Sequence, residues 1–308
     1  MDLNLFVVIV TYNRIEKLKK ALKSYQEQSL LPQHIVVVNN NSTDGTTDFL
    51  KTWEAAADGF KKTVITTKQN IGGAGGFKLG MQYALEQGAG WIFVADDDAY
   101  PEKDAVSLID KYCREYLTEA SCICGSVICN NFIDIDHRRT FSNSLIQIPK
   151  RISRESYERE TISIKETSFV GSCFKAEAIV KEGLPRDDFF IYFDDTEFSY
   201  RMVKRGKILL IPQIRIIHDT NTFSQHSNND VATWRDYYLT RNHVYTLKIN
   251  HKPTFIVYCM KKMMDMLSEY FKITNNKVLA LKFNALKDGI IGNLGLHNIY
   301  KPGFTINK

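Results

Sequence analysis

The sequence predicts an α/β fold with a mostly parallel central sheet and helices on both of its faces. Apolar runs rich in β-branched residues alternate with amphipathic stretches over residues 6–95, as in parallel strands joined by helical crossovers. Each run ends in polar or glycine-rich residues, and the last one ends in the triple acid Asp96-Asp97-Asp98. Open sheets of this kind bind ligands beyond the carboxyl ends of their strands, so this edge is the predicted functional side.

Strands and helices are predicted in strict alternation along the first half. The strands are residues 6–10, 35–38, 64–66 and 91–95. The helix after the first strand is predicted from one apolar face, which is formed by Ile15, Leu18, Leu22 and Tyr25. The second helix reaches Trp53, and the third follows the glycine-rich run and ends near residue 87. In the second half we predict strands at 169–174, at the aromatic run 189–193 and at 214–217.

The triple acid carries the strongest chemical signal. Adjacent carboxylates repel one another and raise each other's pKa unless a cation lies between them. Alternate residues of an extended chain point the same way, so Asp96 and Asp98 are placed to share one ion. Oxygen ligands that leave coordination positions open suit Mg²⁺ or Mn²⁺ carrying a substrate phosphate. The alternative is a solvated acidic turn or a helix cap before Pro101.

The predicted functional edge collects polar residues from all four strand ends. They are Thr11, Tyr12, Arg14, Asn39, Asn40, Asn70 and the run Gly72-Gly73-Ala74-Gly75-Gly76. Glycines let backbone N–H groups approach a phosphate or a sugar closely. A tight turn followed by a closely packed helix is the alternative explanation of the glycine run, which is neither a Walker loop nor a GxGxxG motif.

Composition limits the classes of protein that remain. The chain has 308 residues, 44% of them hydrophobic, which is enough for one large domain or one domain with an appendage. Neither an export signal nor an apolar run of membrane-spanning length is visible, and the six cysteines form no CxxC pair, so we expect a cytoplasmic protein with reduced thiols. A recognised nucleic-acid motif is also missing, and we expect no nucleic-acid partner.

Taken together, the strand-end motifs resemble the inverting family 2 glycosyltransferases of GT-A fold, and within them the galactofuranosyl- and rhamnosyltransferase-like branch. The resemblance covers roughly residues 5–245. It rests on the order of four segments: Val10-Thr11-Tyr12-Asn13-Arg14, Asn39-Asn40-Asn41-Ser42-Thr43-Asp44-Gly45-Thr46, Asn70-Ile71-Gly72-Gly73-Ala74-Gly75-Gly76-Phe77 and Asp96-Asp97-Asp98. One position departs from the family, because the loop after the second strand often opens with Asp and here opens with Asn39.

The resemblance implies a role for each candidate site residue. It implies that Asp96, Asp98 and His218 hold Mn²⁺ or Mg²⁺, whereas a lone histidine such as His218 is otherwise more often a packed core residue than a ligand. Nucleotide contacts are implied for Thr11, Tyr12, Arg14, Asn39, Asn40 and Asp97. Contacts to the diphosphate or sugar are implied for Asn70, Gly73, Gly75 and Gly76. An anion contact is implied for Arg241; the alternative is that its segment is simply an amphipathic core helix.

The acid pair after the aromatic run supplies the predicted base. An inverting transfer needs one carboxylate that takes the proton of the acceptor hydroxyl as the new bond forms. The resemblance puts this base at Asp195 and gives Asp194 an orienting role toward the donor sugar or the acceptor. Glu197 and Arg201 are four residues apart and are interpreted as a helical salt bridge.

The implied reaction is transfer of a sugar from a nucleoside-diphosphate sugar to a glycan. In this branch the donor is a UDP-sugar, with galactofuranose first, and the acceptor is a lipid-linked surface glycan. Transfer from dTDP-rhamnose is the nearest alternative. A nucleotidyltransferase and a non-catalytic sugar-nucleotide-binding module are the alternatives of other classes.

Three regions are expected along the chain. Residues 1–250 are the catalytic domain, with a nucleotide-sugar half at 1–100 and an acceptor half at 101–250 that includes a hairpin or loop at 131–167.

Residues 251–308 form the third region, which is helical and contains nine lysines but only three acidic residues. Helices that mix lysine with bulky apolar residues lie flat on anionic membranes, so peripheral membrane contact at the inner face is one interpretation. Packing on the catalytic domain, or on a second copy as a homodimer, is the other. The lysines concerned are Lys261, Lys262, Lys272, Lys277, Lys282 and Lys287.

Overall fold

The amino-terminal half alternates strands and helices as predicted. The structure is a computed structural model, and it describes residues 3–142, 148–220, 231–270 and 276–307. The first elements are β1 (Leu5–Thr11), α1 (Ile15–Gln26), β2 (His34–Asn39), α2 (Thr46–Ala55), β3 (Lys61–Thr66), α3 (Gly72–Glu86) and β4 (Trp91–Asp96). β1 pairs in parallel with both β2 and β4, and β2 pairs in parallel with β3. The carboxyl ends of these strands therefore lie along one edge.

The second half inserts shorter strands among the helices. Its elements up to the acid pair are β5 (Ala99–Pro101), α4 (Ala105–Glu115), β6 (Ala120–Cys129), β7 (Phe132–Ile133), β8 (Arg138–Phe141), β9 (Pro149–Arg151), β10 (Ile162–Ile164), β11 (Glu166–Thr167), β12 (Ser172–Lys175) and α5 (Ala176–Glu182). Then follow α6 (Asp194–Met202), β13 (Lys207–His218), β14 (Val231–Thr233), α7 (Trp234–Asn250), α8 (Lys252–Tyr270), α9 (Asn276–Ile291) and β15 (Thr305–Asn307).

A ten-stranded sheet joins the two halves, with the order β10-β13-β6-β12-β4-β1-β2-β3 and with β5 and β7 at its side. β12 is antiparallel to both of its neighbours, β4 and β6, and β13 is parallel to β6. The α/β fold with a mostly parallel central sheet is thus confirmed. A separate sheet, β11-β8-β9, occupies the region 131–167 that was predicted as a hairpin or loop.

The sheet is covered on both faces because its strands are apolar on both sides. In β1, Val7 and Ile9 belong to the core beneath α1, α2 and α4, whereas Val8 and Val10 belong to the core beneath α3, α5 and α6. Successive side chains of a strand point to opposite faces, so one continuous apolar run serves both cores. The predicted helical face of α1 is correct, with Leu18, Leu22 and Tyr25 buried.

One predicted strand is wrong. The aromatic run 189–193 is a loop in which Phe190, Tyr192 and Phe193 have positive φ angles of 65°, 66° and 65°. Bulky residues rarely adopt this conformation, so the surrounding structure has to hold it in place. Helix α6 begins directly after the loop, at Asp194. The sequence suggested a strand because aromatic residues are enriched in strands.

The predicted carboxyl-terminal helices are present as α8 and α9. α9 packs on α7, where the Tyr237 hydroxyl donates a hydrogen bond of 2.6 Å to Asp288, and β15 pairs with β14. Lys272 lies outside the described residues. Within the described ranges, the helices are too short or too polar to cross a membrane.

Candidate active site

Three potential metal ligands meet at the carboxyl edge of the sheet. Asp96 ends β4, Asp98 follows it, and His218 ends β13. The antiparallel pairing of β5 with β13 places His218 opposite Ala99, and the Asp219 N–H donates to the Asp98 carbonyl over 2.8 Å. One ligand atom from each of Asp96, Asp98 and His218 lies within 4.8 Å of the others. Two carboxylates and one imidazole form a donor set that suits Mn²⁺ or Mg²⁺.

The protonation chemistry of this cluster also fits a cation. Burial and, after it, the neighbouring Asp98 carboxylate raise the pKa of Asp96 to about 7. Although burial opposes it, the nearby His218 with Arg14 and Lys17 holds the pKa of Asp98 below its usual range. Asp98 Oδ1 and His218 Nδ1 are buried and find no hydrogen-bond partner among the described residues. Buried polar atoms of native proteins are normally paired, and a bound cation would pair Asp98 here.

Asp97 has a structural position that the sequence did not reveal. The residue is 2% exposed; Oδ2 accepts a 2.7 Å hydrogen bond from Thr11 and Oδ1 a 3.2 Å bond from Arg14. Arg14 also donates to Asp98 Oδ2 over 2.9 Å. This carboxylate therefore ties β1 to the metal-ligand turn, and its predicted nucleotide contact stays a prediction. Thr11 shares that role, while Tyr12 and Arg14 remain about half exposed at the edge.

The two asparagines after β2 are engaged within their own loop. Asn39 is fully buried; its Nδ2 donates to Thr47 and its Oδ1 accepts from the Ser42 N–H, both over 3.0 Å. Asn40 Nδ2 donates to the Gly72 carbonyl over 2.8 Å and so links this loop to the start of α3. The amides of both side chains shape this edge, and their predicted nucleotide contacts stay predictions.

The glycine run has one open position and three packed ones, since a Cβ atom on Gly72 would also clash with the Phe190 carbonyl oxygen. A Cβ atom on Gly76 would lie 2.5 Å from a methyl carbon of Val10, and one on Gly75 would lie 3.0 Å from Ile71. These two glycines therefore allow close packing, and their predicted contact with the donor stays a prediction. A Cβ atom on Gly73 would meet nothing within 4 Å, which leaves space above the first turn of α3. Asn70 Oδ1 accepts a 2.8 Å hydrogen bond from the Gly72 N–H and fixes that turn.

The acid pair begins α6 directly below the aromatic loop. Asp194 is 7% exposed, and burial together with the adjacent Asp195 raises its pKa well above the usual range, with a smaller contribution from Asp96. Burial and then the Glu166 carboxylate raise the pKa of Asp195 to about 6, against the opposing charge of Arg139. The fields acting on the pair thus differ: Asp96 of the metal cluster acts on Asp194, and Glu166 acts on Asp195. A carboxylate with a raised pKa is a stronger base than a free one.

Arg241 supports the aromatic loop. It is 1% exposed, and its guanidinium donates to the carbonyls of Gly295, Asp188 and Phe189 over 2.6, 3.3 and 3.2 Å. The next residue, Asn242, donates from Nδ2 to three carbonyls of the loop, at Phe189, Ile191 and Tyr192. The donors of Arg241 are thus directed to the backbone that carries the acid pair, and its predicted anion contact stays a prediction.

The sequence interpretation missed three charged residues around the site. Lys17 Nζ lies 3.6 Å from Asp98 Oδ2, and Arg139 Nη1 pairs with Glu166 Oε1 over 2.8 Å beside Asp195. Lys17 is three residues after Arg14 in the first turn of α1, so the helical spacing carried a signal for it. Glu166 and Arg139 come from the irregular region 131–167, where the sequence has little periodicity and offered no such signal. The salt bridge between Glu197 and Arg201 is present, with atoms 2.8 Å apart.

Comparison with known proteins identifies the family. The model of the family described as glycosyl transferase family 2 matches residues 6–177, which include the whole amino-terminal βα half and the triple acid. The chain belongs to this family. The match agrees with the predicted resemblance and favours a glycosyltransferase over the nucleotidyltransferase and binding-module alternatives. The described fold also carries the predicted GT-A arrangement, with the acids at the carboxyl edge.

The chain is also similar to individual proteins and solved structures. The galactofuranosyltransferase GlfT1 of Mycobacterium tuberculosis is 32% identical over 209 residues, which are 67% of this chain and 66% of that protein. The chain thus spans slightly less than two thirds of this relative. The dTDP-rhamnosyl transferase RfbF of Shigella flexneri is 28% identical over 266 residues, 83% of this chain and 84% of that one. The crystal structure of GalNAc-T7 with UDP, GalNAc and Mn²⁺ superposes with a TM-score of 0.64 at 16% identity, over 93% of this chain and 56% of that one, and supports the fold.

Proposed function

We propose that this protein is a metal-dependent, inverting glycosyltransferase that moves galactofuranose from a UDP-sugar to a hydroxyl of a lipid-linked glycan. The observation that carries the proposal is the meeting of Asp96, Asp98 and His218 at the strand edge, with a carboxylate pair close enough for Asp96 to act on Asp194. A nucleotide-sugar transferase needs both parts: a cation for the departing diphosphate, and a base for the acceptor.

The donor assignment rests on the relatives. The protein named galactofuranosyltransferase has the higher identity, whereas the dTDP-rhamnosyl transferase matches more of the chain. We therefore place UDP-galactofuranose first and dTDP-rhamnose second. A thermal-shift panel of UDP-, dTDP- and GDP-sugars decides between them, because a ligand that binds only the folded state raises the melting temperature by mass action.

In the proposed reaction, the protein positions the donor at the strand edge. The exposed Tyr12 and Arg14 contact the nucleotide, and the open space above Gly73 with Asn70 receives the diphosphate or sugar. Asp96, Asp98 and His218 would hold Mn²⁺ or Mg²⁺, which supplies positive charge to the leaving diphosphate. Asp97, Thr11, Asn39 and Asn40 keep this edge in shape through the hydrogen bonds described above.

Asp195 is the proposed base. It accepts the proton of one acceptor hydroxyl while that oxygen attacks the anomeric carbon from the side opposite the diphosphate, so the configuration inverts in one step. Asp194, whose carboxyl is acted on by both Asp195 and Asp96, orients the donor sugar or the acceptor. Arg241 and Asn242 contribute indirectly: their hydrogen bonds hold the aromatic loop in place, and this loop leads into the first turn of α6. A test of the base is the loss of turnover with retained donor binding in Asp195→Asn.

The acceptor is proposed to lie on a membrane, and α8 provides the surface that meets it. Its apolar residues at 256, 257, 260, 263, 264 and 267 are each between 54% and 67% exposed. At 100° per residue they fall on one side of the helix, away from Cys259, which packs against Val244 and Leu286. Lys261 borders this side and suits an anionic lipid surface. We propose peripheral contact with the inner face of the cell membrane; a homodimer through the same side is the competing outcome.

Release of nucleoside diphosphate, measured with and without acceptor, tests the proposed class of reaction. Transfer requires release that rises with acceptor and a product heavier by one sugar. A nucleotidyltransferase would release pyrophosphate instead, and a binding module would release nothing.

A further inference from the structure

The small sheet β11-β8-β9 packs against the start of α6 through its strand β11. The Thr167 N–H donates to Ser199 Oγ over 3.1 Å. The Ser199 hydroxyl in turn lies 3.0 Å from the Thr167 carbonyl oxygen and 2.8 Å from that of Asp195. This serine therefore joins the small sheet to the backbone of the acid pair.

Glu166, the other residue of β11, reaches the same turn with its side chain. The carboxylate is buried; Oε2 accepts from the Tyr200 hydroxyl over 2.9 Å, and Oε1 accepts from Arg139 over 2.8 Å. The Thr196 hydroxyl lies 3.4 Å from Oε1, while the Thr196 N–H donates to Asp195 Oδ1 over 2.6 Å. Thr196 thus contacts both carboxylates and links Glu166 to the proposed base.

Arg139 comes from the neighbouring strand. The antiparallel pairing of β11 with β8 aligns Glu166 with Arg139, and residues opposite each other on such strands share one face. Arg138, one residue earlier, points to the other face, where its buried guanidinium donates to the carbonyls of Gly125 and Val170 over 2.9 and 2.7 Å. One arginine of β8 therefore anchors the small sheet to the main sheet, and the next one places a positive charge beside the acid pair.

The two charges act on Asp195 in opposite directions. Burial and then Glu166 raise the pKa of Asp195 to about 6, and Arg139 opposes them. With this balance the carboxyl is ionised at pH 7 and is still more basic than a free aspartate, as a base for a hydroxyl requires. The positions of both charges depend on the small sheet.

Other groups around this carboxyl act on it less strongly than these two charges. On α6 itself, burial and the adjacent acid raise the pKa of Asp194 well above its usual range. Helix α7 presents His243, whose ring stacks on Phe193 at 4.6 Å and whose pKa is lowered to about 4 by burial, so that it is neutral at pH 7. Helix α5 presents Glu182, which pairs with Arg205 beyond the far end of α6, and β13 faces the helix with apolar residues.

We propose that the small sheet positions the base and sets its strength, with Glu166 and Arg139 as positioning residues for Asp195. The inference rests on the proposed transfer reaction and gives region 131–167 a role in it. Glu166 holds the first turn of α6 through Thr196 and favours the protonated form of Asp195, and Arg139 limits that effect.

The test compares Glu166→Gln with Arg139→Gln, because the account predicts shifts of opposite sign. Glutamine has the shape of glutamate and can keep the hydrogen bonds to Arg139 and Tyr200 while the negative charge is lost. With saturating Mn²⁺, UDP-galactofuranose and octyl β-D-galactofuranoside, kcat is measured against pH. Loss of the negative charge favours ionised Asp195, so the acid limb in Glu166→Gln should move to lower pH by roughly one unit. Loss of the positive charge should move it to higher pH in Arg139→Gln, by less because that arginine is partly exposed.

Glu197→Gln is the matched control. Glu197 is a buried glutamate of the same helix and also pairs with an arginine, Arg201, over 2.8 Å. At about 100° per residue, it lies on nearly the opposite side of α6 from Asp195. The variant loses the same charge and should lose stability, whereas its acid limb should coincide with that of the wild type. A purely structural role of Glu166 would likewise lower kcat or the melting temperature and leave the acid limb in place.

A titration of the carboxyl itself separates this inference from the reaction. NMR of isotope-labelled aspartate carboxyls follows Asp195, whose signal is identified by its loss in Asp195→Asn. The midpoint should fall in Glu166→Gln, rise in Arg139→Gln and stay unchanged in Glu197→Gln. If the wild type transfers no sugar yet shows this pattern, the proposed function fails while the role of the small sheet stands. Midpoints that stay in place, or that move in the same direction in both test variants, overturn the inference even if sugar is transferred. If the buried Glu166→Gln variant does not fold, the sign of the shift in Arg139→Gln decides.

Discussion

His218 Nε2 lies 3.4 Å from Asp98 Oδ1, although the two residues come from opposite halves of the chain. The β5–β13 pairing produces this proximity, since β5 follows the triple acid immediately and aligns Ala99 with His218. A packed core histidine needs no carboxylate beside it. The proximity favours the ligand interpretation that the sequence left open.

His218→Ala should raise the metal concentration required for half-maximal activity by roughly tenfold or more, because it removes one metal-binding atom. The melting temperature without metal should change little, since His218 Nδ1 has no hydrogen-bond partner within the described ranges and the Nε2 approach to Asp98 Oδ1, at 3.4 Å, is long for a hydrogen bond. The check is a Mn²⁺ titration of activity alongside a thermal melt. An unchanged titration with a large loss of melting temperature would restore the core-histidine interpretation.

Asp195→Asn should lower turnover by roughly 10²–10⁴-fold while UDP-sugar affinity stays within experimental error, as expected for the loss of a general base. Because burial and Glu166 raise the pKa of Asp195 to about 6, the carboxyl is protonated and inactive below that pH and ionised above it. Wild-type turnover should therefore fall as the pH drops through about 6. A milder loss in Asp195→Asn than in Asp194→Asn would move the base to Asp194.

Gly73→Ala and Gly76→Ala should separate donor binding from packing. On Gly76 the new Cβ would lie 2.5 Å from Val10, and such overpacking costs about 1–3 kcal/mol of unfolding free energy. On Gly73 the Cβ meets nothing within 4 Å, so stability should hold while UDP-sugar affinity falls. Denaturant unfolding and calorimetric UDP titration measure the two effects. Full UDP-sugar affinity in Gly73→Ala would remove this glycine from the proposed donor site.

Flotation with liposomes tests the proposed membrane surface of α8. Binding should require anionic lipid, fade as salt is raised, and weaken in Met264→Gln and in Lys261→Glu, since exposed apolar area and lysine both contribute. Lys204→Glu, on an exposed lysine after α6, is the charge-matched control. Binding to neutral liposomes alone would contradict the proposed contact with an anionic membrane. A dimer in sedimentation that Met264→Gln disrupts would instead assign this side of α8 to a homodimer interface.

Sequence patterns predicted the strand edge well, because hydrophobic runs and their polar ends are local features. The metal triad followed from the family resemblance, and the structure brings Asp96, Asp98 and His218 together as expected. Side-chain direction was harder to predict. Asn39, Asn40 and Gly76 lie at the correct edge but face their own backbone or core.

Arg241 shows why the sequence alone could not predict the roles of the remaining side chains. An arginine next to an asparagine on an aromatic helix has the composition of an anion site. The structure instead directs both side chains to the carbonyls of residues 188–192, whose left-handed backbone no sequence pattern predicted. Glu166 likewise acts on Asp195 although β11 and α6 are well separated in the sequence, because the fold brings the two elements together.

Sugar transfer measured with and without a divalent cation tests the central claim most directly. With UDP-galactofuranose, octyl β-D-galactofuranoside and Mn²⁺, we expect a product heavier by one sugar, together with UDP release. Excess EDTA should abolish both, and added Mn²⁺ or Mg²⁺ should restore them, because without a cation Asp96 and Asp98 would repel the diphosphate. Full transfer in excess EDTA would contradict the metal-dependent mechanism, and absence of transfer from both UDP-galactofuranose and dTDP-rhamnose would contradict the proposed donor.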